Sequence, residues 1–173
     1  SIITTTGFST ADFDKWPGLS KTILVMLMFV GACAGSTGGG MKVSRFIIFF
    51  KNVRRELKYF LHPQTVSGIY IDKKRLSTDV IRLTNAYIAA YFIIFTASLF
   101  LISFDNFDAI TNFTAVATTL NNIGPGLELV GPTQNFSIYS GFSKAVLTFD
   151  MIAGRLEIFP ILLLFYKDTW KRF

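Results

Sequence analysis

Two short glycine-containing turns hold the backbone groups best suited to chemistry in this chain. The second, residues 121–126, reads Asn-Asn-Ile-Gly-Pro-Gly, which a helix interior does not accept. It follows residues 109–120, which carry no charge and, as a helix of about 18 Å, can enter a bilayer without crossing it. The pattern predicts a re-entrant loop whose carbonyl oxygens can replace the hydration shell of a cation. An ordinary extracellular loop with Gly/Pro turns stays open as the alternative.

The beginning of the chain repeats this order. Residues 4–8 read Thr-Thr-Thr-Gly-Phe and precede a polar connection and an apolar stretch, as the second turn does. When Ser20 is aligned with Ser143, five of twelve positions are identical. A repeat of this kind indicates one structural unit used twice. The two units predict a pore loop followed by an inner helix, twice over, which is half of a four-part ring.

The elements that must position these turns are predicted to be membrane helices. Of the 173 residues, 51% are apolar and 16% are charged, which is unusual for a soluble domain. Residues 83–104 carry no charge and would form a helix of about 33 Å, long enough to cross a bilayer. A second crossing is predicted for residues 143–166. A buried helix of a soluble protein is the alternative for the first run, and the lack of a polar stripe disfavours it.

The distribution of charge predicts the orientation. Residues 42–82 contain ten basic and three acidic side chains, which indicates a cytoplasmic connection by the positive-inside rule. A smaller basic cluster near the C-terminus should lie on the same side, so the chain between them must cross the membrane an even number of times. Binding of nucleic acid is not predicted, because a loop between membrane spans explains the charge more simply.

A glycine-rich segment, residues 35–40, interrupts an apolar run that begins near Thr22 and resumes at Val43. Each glycine costs a helix about 1 kcal/mol relative to alanine, so the helix should break in mid-membrane. A passive linker outside the membrane is the alternative. A phosphate-binding loop is excluded by spacing, because Met41 separates Gly40 from Lys42.

The last predicted helix carries charged residues at Lys144, Asp150, Arg155 and Glu157. A charge at the centre of a membrane span costs about 2.5 to 3.5 kcal/mol on insertion scales, so these side chains must face protein or water. For Arg155, a structural ion pair with an acidic side chain stays open as an alternative to a functional role.

Four stretches of the sequence together resemble the Trk/Ktr/HKT superfamily of potassium uptake proteins. They are residues 5–8, 31–42, 121–126 and 150–157, and the resemblance covers nearly the whole chain. It implies an all-α membrane protein built from helix, pore-loop, helix repeats of a pseudo-fourfold cation channel. Residues 1–60 would end a third repeat, 61–82 would be a basic cytoplasmic connection, and 83–173 would form the fourth repeat. Because the chain starts at Ser1 without Met, we expect a piece of a longer protein.

The resemblance also assigns site residues. One quarter of a selectivity filter would lie at Thr5, Thr6 and Gly7, and another at Asn122, Ile123 and Gly124, with backbone oxygens of Thr5, Thr6, Asn122 and Ile123 binding K⁺. The implied gate consists of Gly35, Ser36, Thr37, Gly38, Gly39 and Gly40, with Arg155 just below the filter. Each turn holds one glycine at its centre, so we expect a looser filter than that of a dedicated potassium channel.

The function implied by the resemblance is that of a pore-forming subunit of a potassium uptake system in the bacterial inner membrane, which the chain would cross several times. K⁺ would be the transported ion, with no organic cofactor. Implied partners are the lipid bilayer, a second copy in a homodimer, and a cytoplasmic RCK-type nucleotide-binding ring of the TrkA kind. A secondary transporter with broken helices around a midplane site is the alternative, and a membrane-anchored regulatory subunit is a third class. No catalytic constellation is present in the sequence, so we expect no enzymatic activity.

Overall fold

The chain folds mainly as α-helix. The computed structural model describes residues 1–31, 38–64, 68–71, 73–156 and 158–165. The helices are α1 (Gly18–Phe29), α2 (Val43–Leu61), α3 (Thr78–Ile102), α4 (Ala109–Leu120), α5 (Gly141–Arg155) and α6 (Ile158–Phe165). Two short antiparallel strands, β1 (Tyr70–Ile71) and β2 (Lys74–Arg75), form a hairpin between α2 and α3, which the sequence analysis did not predict.

The long helix predicted around residues 83–104 is confirmed as α3. It begins earlier, at Thr78, because the Ser77 hydroxyl oxygen accepts a hydrogen bond from the Val80 amide at 3.4 Å and caps the helix. With the 3₁₀ turn that follows it, the helical stretch Thr78–Asp105 is 28 residues long. Among the described residues, it is the one stretch long and apolar enough to cross a membrane.

The short helix predicted before the second turn is confirmed as α4, with the same limits. The Asp108 carboxylate accepts a hydrogen bond from the Ile110 amide at 3.0 Å and starts the helix. Nine of its twelve residues are buried. α4 packs against α1, α3 and α5, so a helix too short to cross a bilayer is enclosed by protein.

The crossing predicted for residues 143–166 is wrong as a single helix. α5 ends at Arg155, and α6 starts at Ile158. Pro160 lies in the first turn of α6, where a proline is tolerated. In a continuous helix, its ring would clash with the carbonyl group of Leu156, four residues earlier. Glu157 and Tyr166 lie outside the described residues.

The break predicted at residues 35–40 starts earlier than expected. α1 ends at Phe29, and Val30 pairs with Met41 in an isolated parallel bridge. The Gly31 amide donates a hydrogen bond to the Met41 carbonyl oxygen at 2.9 Å. The chain therefore leaves α1 and returns to the same place before α2 begins. Gly35, Ser36 and Thr37 lie outside the described residues.

The core lies between α3, α4 and α5. Aromatic rings join α1 to it, because Phe29 contacts Phe95 and Phe113 with ring centroids 5.6 Å and 6.0 Å apart. α2 is joined to α3 by the Arg45 guanidinium, whose carbon lies 3.8 Å from the centre of the Tyr87 ring. The largest fully buried side chains include Tyr87, Tyr91, Met28, Met41, Ile102 and Leu120.

α5 approaches the end of α4 without any space for a side chain. A Cβ atom built on Gly154 would overlap the carbonyl oxygen of Leu120 and would lie 2.8 Å from the Asn122 side-chain nitrogen. Small residues at such contacts allow helix backbones to pack closely in membranes. Gly154 therefore sets the distance between α5 and the turn that follows α4.

We expect Gly154→Ala to destabilise the protein by about 1 to 3 kcal/mol, because the added methyl group overpacks this contact. The measurement is thermal unfolding of the full-length protein in detergent. Gly141→Ala is the matched control, since a Cβ atom there meets nothing within 4 Å. Equal unfolding temperatures for the two variants would contradict the assignment.

Candidate ion-binding site

The two glycine turns lie side by side. Gly7 and Gly124 have φ angles of +77° and +109°, which a side chain opposes. A Cβ atom built on Gly7 would overlap the carbonyl oxygen of Ile123, and one built on Gly124 would lie 3.9 Å from the Gly7 Cα. Residues more than a hundred positions apart in the sequence thus meet backbone to backbone, as two segments of one filter would have to do.

The first turn is held mainly by local hydrogen bonds. The Thr5 amide donates to the Ile2 carbonyl oxygen at 3.1 Å, and the Thr6 amide donates to that of Ser1 at 3.0 Å. Thr5 has a φ of 53°, an uncommon left-handed conformation for a β-branched residue. The hydroxyl oxygens of Thr4 and Thr6 are 2.8 Å apart and share a hydrogen bond. The turn therefore places two threonines directly before Gly7.

The second turn reverses the chain at the end of α4. The Asn122 amide donates to the Thr119 carbonyl oxygen at 3.1 Å, and the Ile123 amide donates to that of Thr118 at 2.9 Å. Asn122 has a φ of 55°. Its side-chain nitrogen donates to the carbonyl oxygen of Met151 in α5 at 3.1 Å. The side-chain nitrogen of Asn122 is thus engaged with α5.

Both turns line one open cavity of about 770 Å³. All six predicted filter residues contribute to it, namely Thr5, Thr6, Gly7, Asn122, Ile123 and Gly124. Lys144 also lines this cavity and donates a hydrogen bond to the Ser137 carbonyl oxygen at 3.0 Å. Both turns therefore share this cavity with one basic side chain, whose ammonium group is held by a backbone carbonyl.

The described part of the predicted gate contacts the second turn. Gly40 has a φ of +79°, and a Cβ atom built there would lie 2.6 Å from the Asn121 side-chain oxygen. A Cβ atom on Gly39 would lie 2.7 Å from the Asn121 carbonyl oxygen. Gly38 is half-buried beside them. The structure therefore brings the end of the glycine-rich segment into contact with the second turn.

Arg155 is the last residue of α5 and is exposed. Its neighbour Gly154 contacts the Leu120 carbonyl oxygen, so Arg155 follows directly after the point where α5 meets the filter turn. Asp150, which could have paired with it, is fully buried and accepts a hydrogen bond from the Ser98 hydroxyl at 2.7 Å. The structure thus directs the Asp150 carboxylate towards α3.

Sequence reasoning missed the side chains that support the second turn from behind. The Tyr91 hydroxyl donates a hydrogen bond to the Asn121 side-chain oxygen at 3.1 Å, and both residues are buried. The Asn121 side-chain nitrogen donates to the Ala117 carbonyl oxygen at 2.7 Å. The available signal was the pair Tyr87 and Tyr91 in a mostly apolar helix, since buried tyrosine usually finds a partner.

A cluster of three charged residues joins the start of α1 to the segment that follows the second turn. The Lys21 ammonium lies 3.1 Å from the Asp14 carboxylate and 3.8 Å from that of Glu128. Asp14 also accepts a hydrogen bond from the Glu128 amide at 3.1 Å. Glu128 has a φ of 54°, so this contact holds a residue in a sparsely populated conformation.

This arrangement defines a class: a helical membrane protein in which two glycine-containing turns meet backbone to backbone at one cavity. Residues 1–171 match the model of the family described as TrkH, cation transport protein, and the chain belongs to this family. It is 37% identical over 171 residues to the Trk system potassium uptake protein TrkH of Escherichia coli K12. It is 39% identical over 171 residues to TrkH of Vibrio parahaemolyticus, and 30% identical to the Trk system potassium uptake protein TrkG of E. coli K12.

A solved structure supports the fold. The crystal structure of the potassium transporter TrkH from V. parahaemolyticus matches with a TM-score of 0.84 and 38% identity, covering 98% of this chain and 36% of that one. The predicted all-α membrane fold and the predicted family are both confirmed. The chain spans about 35% of the length of each of the three curated relatives and matches them over 99% of its own length.

We expect Asp14→Ala to lower the unfolding temperature more than Lys21→Ala does. Partly exposed ion pairs contribute about 0 to 1 kcal/mol, so loss of the lysine alone should have a small effect. Loss of Asp14 also removes the acceptor for the Glu128 amide, at a further cost of about 1 kcal/mol. Thermal unfolding of both variants at low and high salt separates the salt-sensitive ion pair from the hydrogen bond. A larger effect of Lys21→Ala would contradict the role given to Asp14.

Proposed function

We propose that this chain supplies two of the four filter segments of a K⁺-conducting pore in a potassium uptake protein. Its relatives are named potassium uptake proteins, and it belongs to a family of cation transport proteins. The observation that carries the proposal is the contact of Gly7 with Ile123 and Gly124 at the edge of a shared cavity. A filter made of several backbone segments requires such a contact, because its carbonyl groups must face one axis.

The chemistry follows from the backbone. Thr5, Thr6 and Gly7 on one turn and Asn122, Ile123 and Gly124 on the other offer carbonyl oxygens that can replace the water around a monovalent cation. A glycine with positive φ permits successive carbonyl groups to face one direction. Thr5 and Asn122 also have positive φ angles, so each segment holds two such residues. K⁺ is the transported ion in this proposal, and no organic cofactor takes part.

The proposed gate is the glycine-rich segment, with Arg155 as its charged partner. Gly39 and Gly40 reach the filter turn from one side, and the end of α5 reaches it from another. A guanidinium near this point repels a cation that leaves the filter and can donate hydrogen bonds to carbonyl groups of the segment. Gly35, Ser36 and Thr37 belong to the gate in this proposal, and so does Gly38.

The basic face of α2 and the hairpin form the proposed cytoplasmic docking surface for an RCK-type nucleotide-binding subunit. Lys51 on α2 donates a hydrogen bond to the Tyr70 carbonyl oxygen at 2.7 Å, so the two elements are joined. The exposed basic side chains on them are Lys51, Arg54, Lys58, Lys73, Lys74 and Arg75. We propose the bacterial inner membrane as the location, a homodimer as the assembly, and residues 1–60, 61–82 and 83–173 as the three units.

The test of function is uptake of Rb⁺ and Na⁺ into proteoliposomes that contain the full-length protein. A pore with this filter passes Rb⁺ faster than Na⁺ and holds several cations in file. A fixed coupling ratio with a single bound ion would instead indicate a secondary transporter. A complete lack of flux would indicate a regulatory subunit.

Gly7→Ala tests the filter directly. The added methyl group overlaps the Ile123 carbonyl oxygen and also opposes the φ of Gly7. We expect the Rb⁺/Na⁺ uptake ratio to fall about tenfold, which corresponds to about 1.4 kcal/mol of overpacking. Gly18→Ala is the matched control, because a Cβ atom there meets nothing within 4 Å. An unchanged Rb⁺/Na⁺ uptake ratio in a folded Gly7→Ala variant would contradict a role of Gly7 in the filter.

Arg155→Ala tests the gate. Removal of a positive charge next to the path lowers the electrostatic barrier to a cation, and we expect Rb⁺ uptake to rise by about tenfold. Arg82→Ala is the control, since Arg82 is a highly exposed arginine at the start of α3 that pairs with Asp79 one turn earlier. Unchanged or lower uptake in folded Arg155→Ala would assign Arg155 a structural role.

A further inference from the structure

A hydrogen bond between two buried side chains connects the long helix to the filter turn. Tyr91 lies near the middle of α3 and is 1% exposed, and Asn121 follows the last residue of α4 and is fully buried. The tyrosine hydroxyl donates to the Asn121 side-chain oxygen at 3.1 Å. The Asn121 side-chain nitrogen donates to Ala117, so the orientation of this amide is fixed from both ends.

The same asparagine oxygen faces the end of the glycine-rich segment. A Cβ atom on Gly40 would lie 2.6 Å from it and 3.3 Å from the Asn121 Cβ atom. Gly39 has no space for a side chain either, because a Cβ atom on it would lie 2.7 Å from the Asn121 carbonyl oxygen. Residues 39 and 40 therefore pack against Asn121 while its side chain is held by Tyr91 and Ala117.

The two residues that follow Asn121 connect it to the first turn. Asn122 is fixed to α5 through the Met151 carbonyl oxygen, and Ile123 follows with its carbonyl oxygen against Gly7. Rotation of the side chain alone leaves the backbone in place, so the coupling requires the Asn121 backbone to shift when its side-chain contact with Tyr91 is lost. Protein interiors are close-packed and transmit strain, so such a shift reaches the peptide groups of Asn122 and Ile123.

We propose that Asn121 couples the glycine-rich segment to the filter, and that Tyr91 is the positioning residue that sets its orientation. This inference rests on the proposed filter function and goes beyond it, because it makes ion selectivity depend on a side chain that does not line the shared cavity. Without the Tyr91 hydroxyl, the Asn121 side-chain oxygen loses its partner in α3 and can move relative to Gly40, which it already faces.

The chain offers a matched control at the other end of α4. The Tyr139 hydroxyl donates a hydrogen bond to the side-chain oxygen of Asn112 at 3.0 Å, and both residues are buried. Burial, together with the charge of Asp105, raises the pKa of Tyr139 to about 12, so its hydroxyl keeps its proton at neutral pH. Both tyrosines thus donate to an asparagine, one within α4 and one directly after it, but only Tyr91 does so at the second turn.

The experiment compares Tyr91→Phe with Tyr139→Phe in the full-length protein, by Rb⁺ and Na⁺ uptake in proteoliposomes and by thermal unfolding in detergent. Each variant loses one buried hydrogen bond, so we expect similar losses in unfolding temperature. The Rb⁺/Na⁺ ratio should fall about fivefold in Tyr91→Phe alone, as the loss of one ordinary hydrogen bond at the filter would give. A general loosening of α4 would lower the ratio equally in both variants.

A second substitution removes the same hydrogen bond by changing Asn121 instead of Tyr91. In Asn121→Ser, the hydroxyl can still donate to the Ala117 carbonyl oxygen four residues earlier, as Thr119 does to Ala115, but it does not reach Tyr91. We expect the same fall in the ratio as in Tyr91→Phe, and no further fall in the double variant, because both remove one contact.

Additive effects in the double variant, an unchanged ratio in Tyr91→Phe, or an equal fall in Tyr139→Phe would each overturn the coupling role. Failure of the proposed function itself is visible separately, in the unsubstituted protein, as a Rb⁺/Na⁺ ratio near one or as no flux. The two failures are therefore distinguished within one series of measurements.

Discussion

The structure depends on one constraint: an irregular turn at the end of a buried short helix must find hydrogen-bond partners within the protein for its amide groups and polar side chains. Lipid offers no hydrogen bonds, so each unpaired polar group exposed to it would cost several kcal/mol. In the turn after α4, the amides of Asn122 and Ile123 donate to carbonyl groups of α4, and the side chains of Asn121 and Asn122 bind Tyr91 of α3 and the Met151 carbonyl oxygen of α5. Three helices are thereby held around a segment that has no regular structure of its own.

Glycine makes these contacts possible because backbones must approach one another directly. Gly7, Gly40 and Gly154 each occupy a place where a Cβ atom would strike an oxygen atom of the second turn or of the last residue of α4. They come from the first turn, from the end of the glycine-rich segment and from α5. Glycines thus contact the second turn and the last residue of α4 from three segments of the chain. For this reason the first turn, the proposed gate and the end of α5 can each approach Leu120, Asn121 or Ile123 closely.

The two repeats break their second helix at equivalent places. The alignment that places Ser20 on Ser143 also places Gly31 on Gly154, and α1 and α5 end within two residues of these glycines. In the first repeat, thirteen residues separate α1 from α2, whereas two residues separate α5 from α6. The repeats thus share the interruption, and only the first carries a long segment within it. The long segment in the first repeat is the one that contains the proposed gate.

The sequence by itself determined the elements whose signals are local. Charge-free length predicted α3, and a short apolar run before Asn-Asn-Ile-Gly-Pro-Gly predicted α4 to the residue. The interruption before α2 followed from consecutive glycines, whose cost in a helix is independent of surroundings. The break between α5 and α6 was missed although Pro160 signalled it, because the apolar run around the proline was given more weight.

Only the tertiary structure decided which residues meet. Tyr91 and Asn121 are 30 residues apart, and Gly7 and Ile123 belong to different repeats, so no local pattern connects them. The angle and distance between packed helices select such pairs, and these depend on close-packed side chains along the whole length of α3, α4 and α5. Residue types predicted that a turn binds a cation. The packing of three helices decided what holds that turn in place.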